Sequence, residues 1–180
     1  MTRIQRINEI ARKQFLGAAD PTFIHHAQYT KDLPKENETG AQYFKTDTIR
    51  VKGKRLFEVK FRTRSSEKTE VYIQKIILRA LDELIKSKRS NMTLRQKVSY
   101  SVNKGDLQIY CPCDAFLYWG YQYINTTMDS IHPRHKILIP PDERNPQRRG
   151  IICKHLGLVL NVLPFNISKI TSDVQNILQR

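Results

Sequence analysis

The stretch EVYIQKIILRALDELIKSKR, residues 70–89, sets how the rest of the chain is read. Ile73, Ile76, Ile77, Ala80, Leu81, Leu84 and Ile85 recur at helical spacing, so the segment reads as one amphipathic core helix. Its flanks fit that expectation. Ser66 stands as a cap, Glu67 and Glu70 sit where the helix dipole favours anions, and Lys86, Lys88 and Arg89 crowd the end that favours cations. Asp82 and Glu83 are neighbours in sequence, so around a helix they point in different directions; they read as solvated carboxylates and not as a catalytic pair.

Upstream, TIRVKGKRLFEVKFRT alternates Ile49 and Val51, then Leu56 or Phe57, Val59 and Phe61, around Lys52-Gly53-Lys54, which signals a β-hairpin. Before it, Pro21, Pro34 and Gly40 break every period, and residues 20–48 read as an extended arm. The opening RIQRINEIARKQFL places Ile4, Ile7, Ala11 and Phe15 on one side of a short helix. Downstream, KVSYSV, the turn NKGD and LQIYC read as a second hairpin. A short aromatic helix or turn (DAFLYWGYQYINTTM) follows, then a proline-rich excursion (DSIHPRHKILIPPDERNPQRRG), a helix in CKHLGLVLNVL and a last helix in NISKITSDVQNILQR. The expected fold class is α+β. It comprises two β-hairpins, a central amphipathic helix, a ββα unit and an N-terminal arm, divided as 1–48, 49–97 and 98–180, with the last two segments forming one compact domain.

The chain has 180 residues and 39% apolar content, enough for a modest core. It contains no run of about 18 uncharged apolar residues and no secretory leader pattern, so synthesis and retention in cytosol are expected. A formal charge of +14 points to an acidic partner, whether nucleic acid, an anionic membrane surface or an acidic protein. No catalytic constellation is present: the chain has seven glycines and no phosphate-cradling loop, and it is not expected to be an enzyme.

The three cysteines, Cys111, Cys113 and Cys153, occupy a C-x-C at the end of an expected strand and a C-x-H at an expected helix start with His155. In a reducing compartment closely spaced thiols more often hold metal than form disulfides. Zinc favours four ligands in a tetrahedron, and three thiolates with one imidazole make a closed structural set, so Cys111, Cys113, Cys153 and His155 are the candidate ligands of a structural Zn²⁺. A Cys₃His iron–sulfur centre and inert core cysteines are the competing readings. A closed zinc site leaves no position for an activated water, which disfavours hydrolysis. His132 and His135 have ligand-like spacing and are alternative ligands, whereas the adjacent His25 and His26 read as loop residues. Trp119 with Tyr118, Tyr121 and Tyr123 reads as a cover over the small metal unit, with base stacking as the other use.

On YCPCDAF and CKHLGLVL, the chain resembles the SWIM-type zinc finger, a ββα unit whose ligands would be these four residues; its gap from Cys113 to Cys153 is longer than usual. Over residues 98–163 it is similar to small virion proteins of large tailed bacteriophages, through CPCDAFLYWGYQY, RNPQRRG and CKHL, although CPCDAF carries a lone aspartate where that group has a proline–aspartate pair. The resemblance implies a zinc-stabilised structural component of a phage particle, in tail, baseplate, neck or head, made in the host cytoplasm. Its arm would join neighbouring subunits in a symmetric multi-copy assembly. DNA is a further candidate partner, and neither a membrane nor a small-molecule substrate is implied. The SWIM likeness implies an alternative, a nucleic-acid-binding module that presents Arg148, Arg149 and Lys154 to phosphate or to an acidic partner.

Overall fold

Lys52 and Gly53 both take positive φ, 48° and 77°, and Val51 pairs with Lys54 across them. This is the two-residue turn whose twist matches that of the strands it joins. It connects β1 (Ala41–Val51) to β2 (Lys54–Arg64), so the first hairpin forms where the sequence placed it. The computed structural model describes residues 40–64, 71–87, 91–140 and 152–180. The expected N-terminal helix, the arm up to residue 39, and Ser66, Glu67, Glu70, Lys88 and Arg89 lie outside them. The rest of the expected arm is corrected: residues 41–48 belong to β1, where Tyr43, Thr46 and Thr48 pair with Phe61, Val59 and Phe57 of β2.

The expected central helix is also corrected. Its first half is β3 (Val71–Leu78), antiparallel to β2, and only Leu81–Lys86 forms a helix, α1. The apolar stripe counted as helical belongs to a strand covered on both faces at its far end, where Ile76, Ile77 and Leu78 are all buried. A strand covered on both sides loses alternation and cannot be told from a helix by periodicity. Valine and isoleucine density favours the pleated form. Asp82 is likewise not a solvated carboxylate. It is buried on α1 and bonded to Arg55 Nε at 2.6 Å and Lys86 Nζ at 2.6 Å.

The second hairpin does not form. Residues 97–102 lie in α2 (Leu94–Asn103), capped by a reciprocal box in which Thr93 accepts from the Gln96 amide and the Gln96 side chain accepts from the Thr93 amide. Val98, Ser101 and Val102 face the core at helical spacing. A turn leads to β4 (Leu107–Tyr110), which pairs antiparallel with β3. The sheet therefore runs β1-β2-β3-β4, all antiparallel, and β4 joins the expected second and third segments in one sheet. The α+β class stands; the ββα unit does not, since the partner of β4 is β3.

Beyond β4 come α3 (Asp114–Tyr118) and α4 (Tyr121–Thr127), turned at Gly120 with φ 76°. Then follow α5 (Lys154–Val162), a 3₁₀ turn (Leu163–Asn166) and α6 (Ile167–Leu178). One face of the sheet, with Phe57, Val59, Phe61, Ile76 and Leu78, packs in a single core with α2, α5 and α6 through Val98, Leu156, Leu160, Ile170 and Val174. Each such side chain contributes roughly 1.5–3 kcal/mol on burial. The segment after α4 crosses the opposite face: Ile131 bridges Ile109, and His132 and His135 settle on residues of β2, β3 and β4. Among the described residues no helix is long and apolar enough to cross a membrane.

Candidate metal centre

Two helix starts and one strand end meet at the cysteines. Cys111 follows the last residue of β4; Cys113 caps α3, its Sγ accepting from the Phe116 amide at 3.4 Å; Cys153 caps α5, and His155 lies in the first turn of that helix. Pro112, between the first two cysteines, removes an amide donor where the strand ends and the chain turns into α3. The sulfurs and one imidazole nitrogen lie within 4.8 Å of one another, and all four residues are buried. A zinc ion with bonds of about 2.3 Å spaces its ligands by roughly 3.8 Å, so a small contraction closes the set.

The chemistry of the cluster is compatible with a bound cation. The cysteines are free thiols, and both ring nitrogens of His155 are buried with no hydrogen-bond partner, an arrangement that costs desolvation energy unless a metal takes one of them. Hydrogen bonds donated by Cys111 and Cys153 hold the Cys113 thiol far below its usual range. Burial pushes Cys111 up to about 12 and raises Cys153 as well. A multivalent cation bound among the three sulfurs would stabilise their thiolate forms. Burial, followed by the neighbouring Cys153 and Cys113 sulfurs, also raises the Tyr121 hydroxyl.

The surrounding residues were not all legible. Gln74, fully buried on β3, donates through Nε2 to Thr63 Oγ1 at 2.8 Å and to Cys111 Sγ at 3.6 Å. Tyr72 sets its ring edge-on to His155, with centroids 5.0 Å apart. In a helix Gln74 would fall beside Leu81 and Ile85 on the edge of the apolar stripe; in a strand, Tyr72, Gln74, Ile76 and Leu78 share one face, and a glutamine in that row signals a buried polar task.

The other candidates separate from the centre. His132 is buried against Glu58, and His135 stacks on Tyr110 with ring centroids 3.6 Å apart, so neither joins the cysteines. Tyr121 is buried, Trp119 packs partly against the core and Tyr118 is exposed, so the aromatic run covers the region unevenly. Lys154 is half-buried on the first turn of α5, while Arg148, Arg149, His25 and His26 lie outside the described residues. No family model matches the chain, and no curated protein or solved structure matches it.

Proposed function

We propose that this protein is a non-enzymatic structural component of a tailed-bacteriophage particle, closed by one zinc ion held by Cys111, Cys113, Cys153 and His155. The observation that carries the reading is the convergence of four buried ligand groups from two segments distant in sequence. Such a set uses every coordination position and serves shape instead of catalysis. It ties the β4–α3 corner to the start of α5 across the whole proline-rich excursion. The particle setting rests on the resemblance of CPCDAFLYWGYQY and CKHL to small virion proteins. Leu138, Ile139 and Phe165, each about three-quarters exposed, are apolar surface of the sort that neighbouring subunits cover.

The test has two parts. Elemental analysis of purified protein yields about one zinc per chain, without the visible absorption of an iron–sulfur centre. Mass spectrometry then finds the chain in purified particles. Protein without metal refutes the zinc reading, and particles lacking the chain refute the structural role. The alternative, a nucleic-acid module working through Lys154, Arg148 and Arg149, is favoured by the charge of +14 alone.

A further inference from the structure

Along the sheet face that carries Glu58, Lys60 and Lys75, and bounded by Ile177 at the end of α6, lies a cleft of about 490 Å³. Its size suits a small ligand or a segment of a larger one, but its walls are charged, which excludes a neutral apolar occupant. The acids and bases in it are unequally paired. Glu58 is bonded to His132 at 2.6 Å and Lys60 at 3.1 Å, and Asp47 is bonded to Lys60 and Lys45 at 2.8 Å each. Both carboxylates are thus spoken for.

Three further cations line the same cleft: Lys75 from β3, Arg134 from the segment after α4, and Arg180 beyond α6. None has a carboxylate partner among the described residues. Lys75 is instead 3.4 Å from His135 Nε2 and 5.6 Å from the centre of the Tyr110 ring, and Tyr110 and His135 stack on each other. Burial first, and Lys75 next, hold the His135 imidazole down at about 4, so it is neutral near pH 7 and accepts from the ammonium. The ammonium is thereby oriented without being neutralised.

We infer that this cleft binds a phosphate group, with Lys75, Arg134 and Arg180 supplying its charge and the buried His132–Glu58 pair holding the floor. A phosphate offers several oxygens to donors arriving from different directions, whereas a carboxylate has two oxygens and is matched by a single guanidinium. Three unneutralised cations from three separate elements fit the former. The phosphate belongs either to a nucleic-acid backbone or to a free phosphate compound, and the inference does not depend on zinc.

The test uses the full chain and three variants: Arg134→Gln, the double variant Lys75→Gln/Arg134→Gln, and Arg95→Gln, which removes one exposed charge from α2 outside the cleft. Each is titrated with a short fluorescein-labelled DNA duplex, followed by anisotropy across a salt series, and with inorganic pyrophosphate, followed by calorimetry. Circular dichroism checks that each is folded. The double variant is expected to bind at least tenfold more weakly, with a salt slope lower by roughly 2, while Arg95→Gln changes less than twofold. Loss toward the duplex alone assigns a nucleic-acid backbone, and equal loss toward pyrophosphate assigns a free phosphate; either supports the inference. Equal effects of the cleft and control variants overturn it, as does failure of the wild-type chain to bind either phosphate probe.

Discussion

His132 Nε2 lies 2.6 Å from Glu58 Oε2, and both side chains are almost wholly buried. The pair pins the segment after α4 to the middle of β2. Burial alone would raise the Glu58 carboxyl, but hydrogen bonds from His132 and Lys60 outweigh it and hold the group at about 2, below its usual 4.5. A carboxyl depressed on folding gives stability that is present above the unfolded value and lost as pH falls through the folded one. Wild type should therefore exceed Glu58→Gln by about 3 kcal/mol at neutral pH, with the gap closing between pH 4.5 and 2. Denaturant unfolding of both proteins across that range measures it. A gap that does not change with pH contradicts the assignment.

Metal removal should be felt by the whole fold, because Cys111, Cys113 and Cys153 are part of the same buried core as Phe61, Ile76 and Leu156. Losing a structural zinc from a site that ties two distant segments costs at least about 4 kcal/mol, or roughly 10 °C in melting temperature for a domain of this size. Cys113→Ser should lose the ion, and residues 107–163 should then become protease-sensitive. Limited proteolysis with and without chelator reads this directly. Retained metal and unchanged protection in Cys113→Ser count against the site.

The Cys₃His cluster was legible in the sequence because it depends on residue type and spacing, and Cys111, Cys113, Cys153 and His155 do converge. The elements that deliver it were less legible. Val98, Tyr100 and Val102 alternate like a strand, yet the Thr93–Gln96 box starts a helix there. That box was written in the sequence, and a local capping signal outweighed a three-residue alternation. The error over residues 71–78 has a different cause. Whether Ile73, Ile76 and Ile77 lie on a helix or a strand depends on β2 and β4 flanking them, and that information is not local. The His132–Glu58 contact joins residues 74 apart and carried no short-range signal at all.

Gln74 should tune the centre without being a ligand. Its amide reaches Cys111 Sγ and is held in place by Thr63 Oγ1. A hydrogen bond to a metal thiolate draws charge from the sulfur and fixes its orientation, and loss of such supporting contacts costs about 10- to 100-fold in metal affinity. Gln74→Leu is expected to bind zinc at least tenfold more weakly in competition with a chelating dye, while still binding one ion. Unchanged affinity would show that the contact is packing alone.

The turn offers a stabilising change. Lys52 is held at φ 48°, a left-handed conformation that costs a lysine roughly 1 kcal/mol and that asparagine tolerates better. Lys52→Asn creates the Asn-Gly pair preferred in this turn and should add about 0.5 kcal/mol. Gly53→Ala should cost about 1 kcal/mol, although no atom lies within 4 Å of the added methyl, because its φ of 77° is the obstacle. Thermal melts of the two variants should shift in opposite directions.

Asp173 holds α6 against the irregular part of β1. The register of β1 against β2 shifts between Tyr43 and Lys45, and next to that shift Asp173 Oδ2 accepts from the Thr46 amide at 2.7 Å and the Tyr43 hydroxyl at 2.5 Å. A bulge disrupts the ladder locally, and a carboxylate brought in by a helix supplies an acceptor beside it. Asp173→Ala leaves the Thr46 amide without its acceptor and the Tyr43 hydroxyl with Thr46 Oγ1 alone, at a cost of about 1–2 kcal/mol. Asp173→Asn keeps an acceptor oxygen and should lose about half as much. Amide exchange at Thr46 distinguishes this clamp from a general loss of helix packing: it should accelerate strongly in Asp173→Ala and weakly in Asp173→Asn, with Val59 in the neighbouring strand affected less than Thr46 in both.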